Sequence, residues 1–347
     1  MNQAAMPDSL FVRRTLIVIG LVALVLLAWE LREVLLMVFG AVVVATLFRS
    51  LAGVYRKARI PEGLSLFLAV LTVLLVVAIC FALFGAQLVN QYEQIRETLP
   101  RAWAALQQRL EGFGLSGQLE QLKGGGGGSG FAATAGSFAM SLGGGVADAL
   151  LIVVGGIFLA ASPRFYRAGL VKLVPEGRRA LTTDAIADSG TALKLWLKAQ
   201  LITMAAVGIA TGIGLWLIGA DNALAFALLA ALFEFIPFIG PILAAVPAVL
   251  IAAAVDPTMG LWVAGVYLVV QQLEGNVFSP LLQQWAVDLP GAVLLFSLLA
   301  MGTLFGALGV IFAAPLTVVV YVLVKKLYVR EALDTATPIP GEEQEQG

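Results

Sequence analysis

Long apolar stretches separated by short polar links dominate the hydrophobic pattern of this chain. A helix needs about 20 apolar residues to cross the hydrocarbon core of a bilayer. The stretches that reach or approach this length are residues 15–29, 34–54, 64–89, 146–161, 201–218, 222–255, 259–270, 293–304 and 310–324. The pattern predicts an all-α polytopic membrane protein with about eight transmembrane helices, if residues 222–255 form a hairpin that enters and leaves on one side.

Composition agrees with a membrane protein and excludes several classes of function. Hydrophobic residues make up 60% of the chain and charged residues 12%, whereas soluble domains have roughly 25% charged residues. The net charge of −1 argues against a nucleic-acid partner, which requires a basic surplus. There is no histidine, and Cys80 is the only cysteine. We therefore expect no metal site, no cofactor and no disulfide within the chain.

Basic residues concentrate in the links after residues 34–54 and 146–161, and after the last apolar stretch. Because positively charged links stay in the cytoplasm, we expect both termini on that side. The first apolar stretch follows Arg13 and Arg14, as in a signal peptide, but no small-residue cleavage site follows it. We expect it to be retained as the first span.

The composition changes along the chain and predicts five parts. Three N-terminal spans (1–89) are followed by an amphipathic helix and Gly-rich linker on the non-cytoplasmic side (90–145). A fourth span with basic cytoplasmic helices (146–200) precedes a core with broken helices (201–330). The last part, 331–347, is acidic and rich in Pro, Gly and Gln, so we expect disorder from Asp334 on.

A stripe of apolar residues in steps of three and four marks the amphipathic helix. Its members are Tyr92, Ile95, Leu99, Trp103, Leu106, Leu110 and Phe113. Such a stripe fits a helix on the membrane surface, and its near-heptad period also fits a contact between subunits. The run GGGGGSG at 124–130 is a flexible linker by composition, native or engineered.

Residues 222–255 contain helix breakers within apolar sequence. Pro237 and Pro241 lack a backbone donor, and Gly240 loosens the chain between them. Free carbonyls at membrane depth are tolerated only where protein or water satisfies them. We therefore expect a polar cavity or a re-entrant tip here, the alternative being a plain loop between two short helices at the membrane interface.

A few polar residues interrupt the apolar second half. Glu234 precedes Pro237, and a second group follows the stretch 259–270: Gln271, Gln272, Glu274, Asn276 and, further on, Pro280. An ionised group at the bilayer centre costs about 2.5–3.5 kcal/mol on insertion scales. Intramembrane acids are therefore candidates for a substrate or ion pathway, and the alternative is that both glutamates lie at the water interface.

Residues 222–249 resemble residues 291–318 when shifted by 69 positions. Gly240 then aligns with Gly309, and Pro247 and Pro315 fall one position apart. A duplication would supply paired broken helices around a central site, as in known transporters. Chance similarity in apolar sequence is the alternative. The residues expected to act as hinges or packing points in the second segment are Gly306, Gly309 and Pro315.

Three blocks carry a resemblance to a known family. They are EFIPFIGP at 234–241, QQLEGNV at 271–277 with Pro280, and FGALG at 305–309 with Pro315. Together they resemble the autoinducer-2 exporter family of bacterial permeases. The resemblance implies an inner-membrane permease with eight spans, re-entrant elements and a homo-oligomeric state, most simply a pentamer. Relatives are assigned to export of autoinducer-2 or to sodium/proton antiport.

This chain departs from the family pattern at two places. Ala199 stands where a glycine is frequent, and the Pro at 290 lacks the preceding histidine often found there. The second departure weakens any proton-coupling scheme that depends on an imidazole.

The leading hypothesis is a transporter or exporter of a small polar solute, such as an autoinducer-2-like signal, working by alternating access around the broken helices. The runner-up is a sodium/proton antiporter that uses Glu234 or Glu274.

The competing class is an oligomeric membrane scaffold that assembles through the stripe and transports nothing. An enzyme is disfavoured because no paired catalytic constellation is present. The expected partners are the lipid bilayer and a small polar solute, or a monovalent cation and a proton.

Overall fold

The computed structural model describes residues 8–80, 147–278 and 289–339, with single positions at 82, 145, 281 and 287. Over these residues the chain is helical and contains no strand, which confirms the predicted all-α class. The stripe at 92–113, the Gly-rich run at 124–130 and Pro280 lie outside the described residues.

The first part of the chain forms four apolar helices and one short amphipathic helix. They are α1 (Asp8–Glu30), α2 (Arg32–Lys57), α3 (Glu62–Cys80), α4 (Ala147–Ala161) and α5 (Pro163–Lys172). Phe48 of α2 is fully buried among apolar side chains of α3 and α4. The apolar length of α1, in contrast, is exposed along the whole of its span, as expected of a helix that faces lipid.

The centre of the fold is the long helix α6 (Arg179–Leu217). Its 39 residues extend over roughly 58 Å at 1.5 Å per residue, about twice the thickness of the hydrocarbon core. The sequence predicted a span beginning at 201 after separate cytoplasmic helices, whereas the structure has one helix that runs through this position without a break. No Pro or Gly-Pro break follows the short 3-10 helix Glu176–Arg178, so the basic segment and the apolar segment continue as one helix.

The region predicted to be broken is interrupted as expected. Helix α7 (Ala223–Phe233) ends before the turn 234–238, and α8 (Ile239–Val255) begins after it. Helix α9 (Pro257–Leu273) follows directly, capped by Asp256 Oδ1, which accepts a hydrogen bond from Thr258 N at 2.9 Å. A π-helical turn, Glu274–Phe278, continues α9.

The last helix, α10 (Gly291–Leu323), contains the second break. Gly306 has φ +62° and ψ −142°, values that only glycine adopts readily. The two stretches predicted at 293–304 and 310–324 are thus two helices that meet at a kink at Gly306. A π-helical turn, Val324–Arg330, extends the second.

Five helical segments among the described residues are long and apolar enough to cross a membrane, or six if α4 and α5 count as one bent span. The predicted count of eight is not confirmed. Helices α7 and α8 have 11 and 17 residues, too few for either to cross the hydrocarbon core alone.

The C-terminal segment packs against the basic end of the last helix. Lys326 Nζ contacts Asp188 Oδ2 of α6 at 2.5 Å. Arg330 Nη2 donates to the carbonyl of Thr337 at 2.6 Å, and Lys325 Nζ donates to that of Pro338 at 3.2 Å. Ile339 is 2% exposed and belongs to the apolar cluster of α6 and α10. The first residues of the segment predicted to be disordered, 334–339, therefore have no regular secondary structure but are bound at these contacts.

The two breaks share a packing feature that supports the internal repeat. A Cβ added at Gly240 would overlap the carbonyl oxygen of Phe233, and one added at Gly309 would overlap that of Met301. In both segments the chain after the break thus returns close to the backbone of the helix before it. Only glycine permits so close an approach. Gly240 and Gly309, which the 69-residue shift aligns, therefore play the same role: each lets the chain pass close to a backbone carbonyl.

Replacing either glycine by alanine will destabilise the protein. The added methyl group meets a backbone carbonyl that no side-chain rotation can move, so we expect a cost at or above the usual 1–3 kcal/mol of overpacking. The matched control is Gly265→Ala in α9, where a Cβ meets nothing within 4 Å. Melting temperatures in detergent should fall for Gly240→Ala and Gly309→Ala only. Equal melting temperatures for all three variants would contradict this account of the breaks.

Candidate functional site

A small polar pocket lies where α6, α7, α8 and α9 meet. Its polar lining consists of Thr211, Glu234, Tyr267, Gln271 and Glu274, and the remaining lining is apolar, including Pro241. The enclosed space is about 10 Å³, close to the minimum for one water molecule. Within the described chain, this pocket brings together residues that the sequence separates by more than sixty positions.

Glu234 reaches the pocket because α7 ends at this residue. Its backbone N–H donates to the carbonyl of Ala230 at 3.0 Å, the last regular bond of the helix. Pro237 has no N–H to continue the pattern, and Phe238 takes the unusual φ of +65°. The Glu234 side chain is 3% exposed, so a carboxylate is held inside an apolar helix bundle.

The carbonyl freed by this break is satisfied from another helix. In an uninterrupted helix, the carbonyl of Glu234 would accept from the N–H of Phe238. Here it accepts from Gln200 Nε2 of α6 at 2.6 Å. Trp196, one turn earlier on α6, makes an edge-to-face contact with Phe235 at 6.0 Å between ring centroids. The break is therefore bound to α6 by one hydrogen bond and one aromatic contact.

The opposite wall of the pocket comes from the end of α9. Gln271 Nε2 donates a hydrogen bond to the Glu274 carboxylate. The π-helical turn that begins at Glu274 changes the angular spacing of the residues that follow, and such turns are frequent at functional sites. Tyr267 OH donates to the carbonyl of Phe226 at 3.5 Å and so joins α9 to α7 beside the pocket.

The electrostatics of the pocket favour positive charge and hydrogen-bond donors. Glu234 and Glu274 lie close enough to interact electrostatically, and two like charges repel each other. Glu234 forms no ion pair within the described residues, and the sequence has no Lys or Arg between Lys198 and Lys325. A proton, a cation or a hydroxyl-bearing solute would relieve this repulsion.

Thr211 adds a second oxygen that lacks an internal partner. It is fully buried, and its Oγ1 has no hydrogen bond among the described residues. Buried threonines elsewhere bond within their own helix: Thr203 Oγ1 donates to the carbonyl of Ala199 at 3.2 Å, and Thr317 Oγ1 donates to that of Ala313 at 2.7 Å. A buried hydroxyl without a partner is costly, and Thr211 Oγ1 lies where a polar group bound in the pocket could pair with it.

The structure places the other predicted pathway residues outside the pocket lining. Pro237 and Gly240 shape the turn. Gln272 and Asn276 are exposed and bond to each other, with Asn276 Nδ2 donating to Gln272 Oε1 at 3.0 Å. The predicted hinge and packing residues Gly306, Gly309 and Pro315 all lie in α10, away from the pocket.

Sequence reasoning missed Gln200 and Thr211. Both are polar positions in the apolar half of α6, and their spacing of eleven residues, about three turns, puts them on one face of the helix. That signal was available in the sequence. No group of three acidic or cysteine side chains able to hold a metal ion occurs among the described residues.

Comparison with known proteins connects this chain to transport. The family model described as "AI-2E family transporter" matches residues 17–329. Two relatives are the candidate transport proteins YrrI and YueF of Bacillus subtilis strain 168. YrrI is 31% identical over 44% of this chain and 43% of its own length, and YueF is 32% identical over 46% and 42%. The "AI-2 transport protein TqsA" of Escherichia coli strain K12 is 30% identical over 36% of this chain and 38% of its own.

The chain spans about half the length, or less, of the curated relatives that it matches. The family model, in contrast, covers nearly all of the described residues and contains all three sequence blocks. The resemblance drawn from those blocks is thereby confirmed. This chain is a multi-pass membrane protein that belongs to the AI-2E transporter family.

Proposed function

We propose that the protein carries a small polar solute across the bacterial inner membrane through the pocket between α6, α7, α8 and α9. The observation that supports this most directly is the convergence of the buried Glu234 and the half-buried Glu274 on one small pocket. Two acceptors that repel each other bind a solute carrying several hydroxyl or amino donors. The family match and the name of the relative TqsA support a transport role.

The pocket must open for a solute to enter. Small-molecule sites usually measure about 300–1,000 Å³, far more than the space between these side chains. We expect the turn 234–238 to be the part that moves. Two described contacts hold it to α6: the hydrogen bond from Gln200 and the aromatic contact with Trp196. Movement of the turn away from α6 would widen the pocket on one side at a time, as alternating access requires.

Autoinducer-2 is the first solute to test, because the relative TqsA is named for it. In proteoliposomes, Glu234→Gln and Glu274→Gln should each lower the transport rate about tenfold or more, since a charge-assisted hydrogen bond contributes about 1.5–3 kcal/mol. Glu331→Gln, at an exposed carboxylate outside the pocket, is the matched control and should leave the rate unchanged. Unaltered transport by both pocket variants would rule out this pathway.

Exchange of a monovalent cation for a proton is the second candidate function. Its support is the size of the pocket together with its oxygens: a space near that of one water molecule, two carboxylates and the Thr211 hydroxyl without a partner. Hard cations prefer oxygen ligands, and intramembrane acids often bind coupling ions or protons. Under this hypothesis Glu234 releases its proton when the cation arrives.

Sodium-driven proton flux in proteoliposomes tests the second function. Glu234→Gln should abolish the flux, because the amide cannot exchange a proton. Thr211→Val keeps the shape but removes one oxygen ligand, so it should raise the half-saturating sodium concentration several-fold. The control Thr203→Val loses a hydroxyl that bonds only within α6 and should behave as wild type. If no variant, including wild type, shows cation-linked flux, cation exchange is wrong and the solute pathway stands alone.

A further inference from the structure

Helix α5 turns sharply away from the spanning helix that precedes it. It begins directly after α4, at Ser162, and the two helices meet at 90°. Pro163 occupies the first turn, where a missing N–H costs nothing. Because α4 is apolar along its length, a helix at right angles to it lies parallel to the membrane plane.

The start of α5 also lies at the polar boundary of the membrane. Arg49 Nη1 of α2 donates to the carbonyl of Ala160 at 2.8 Å, in the last turn of α4. Arg49 also contacts Glu62 at 3.5 Å. Charged side chains therefore surround the end of α4, which is the depth at which lipid headgroups begin.

One face of α5 is apolar and uncovered. At 100° per residue, Phe165, Leu173, Tyr166 and Leu170 fall within an arc of about 140°. Their exposed fractions are 75%, 82%, 38% and 55%, respectively, and no residue of α5 is buried. An exposed apolar face of this size marks a surface that contacts a membrane or another protein.

The opposite face of α5 is basic. Arg164, Arg167 and Lys172 occupy the remaining arc, where Val171 lies between the two arginines, and residues 163–175 contain no acid. None of these three side chains forms an ion pair within the part of the chain that the structure describes. Long basic side chains beside an apolar face can extend toward headgroup phosphates while their stems stay in the interface.

We propose that α5 is a membrane-surface helix that binds anionic phospholipids. Its apolar face enters the boundary between headgroups and acyl chains, and Arg164, Arg167 and Lys172 bind lipid phosphates. Charge and geometry favour lipid over a protein partner, because the helix combines a basic face with a position at headgroup depth. The proposal is independent of which solute the pocket carries.

Depth measurements on the full-length protein in nanodiscs test the position of the helix. Cys80 is the only cysteine, so Cys80→Ala gives a background for single labels at Leu173→Cys, on the apolar face, and at Ala168→Cys, on the basic face. The emission maximum of an environment-sensitive dye at 173 should be shifted to shorter wavelength than that of the same dye in water. Brominated lipid should quench this dye at least twofold more than aqueous iodide does. The dye at 168 should show the reverse preference.

Lipid charge is tested in the same labelled protein. At 173, brominated phosphatidylglycerol should quench about twofold more than brominated phosphatidylcholine at equal mole fraction. The triple change Arg164→Gln, Arg167→Gln and Lys172→Gln should bring that ratio to one, as should high salt, which screens the attraction. Because none of these side chains is buried, the fold should survive the change, and an unaltered melting temperature checks this.

Three results would overturn the proposal. Water-like emission at 173 would mean that α5 does not lie on the membrane. Protection of 173 from both quenchers would mean that protein, such as a second copy of the chain, covers the apolar face. Equal quenching by the two brominated lipids in the wild-type sequence would mean that the helix lies on the membrane without selecting anionic headgroups.

Discussion

The hydrogen bond from Gln200 to the carbonyl of Glu234 is the interaction on which the candidate site depends. A helix can be interrupted within lipid only if each freed backbone group finds a partner, since an unsatisfied group there costs several kcal/mol. Pro237 lacks the N–H that would continue the helix, and Gln200 satisfies a carbonyl that the break leaves free. With the helix ended at Phe233, the Glu234 side chain can lie in a pocket between helices.

Helix α6 connects this site to the rest of the fold because it is long and continuous. The same helix holds the Asp188 partner of Lys326, the Trp196 partner of Phe235 and the unpartnered hydroxyl of Thr211. Phe235 in the first break and Phe305 beside the second both pack on the apolar cluster of α6 and α10. A movement of the first break therefore disturbs the packing at the second, and two glycine-dependent breaks in one cluster give the core two related places to bend.

Much of this architecture could be predicted from sequence, because its signals are local. Apolar length predicts helices, and Pro237 and Gly240 predict a break, since their effect on the backbone does not depend on distant partners. The two glutamates were found because charge within apolar sequence is rare. The continuity of α6 through residue 200 was not predicted, because the composition changes there from polar to apolar and such a change does not end a helix. The shared helix face of Gln200 and Thr211 is visible in the sequence, but the hydrogen bond from Gln200 to Glu234, more than thirty positions away, is not encoded by any local pattern.

The size of the pocket determines how its chemistry should be understood. In this conformation, two carboxylates and one hydroxyl around a space for one water molecule would suit a cation or a proton. The same groups around a wider space would form a site for a hydroxyl-rich solute. What separates the two functions is thus the distance that the turn 234–238 can move from α6, and the Gln200 and Trp196 contacts oppose that movement. A solute must break both contacts or carry α6 along with the turn, whereas an ion needs neither. The strength of these two contacts therefore bears on selectivity as much as the identity of the pocket residues does.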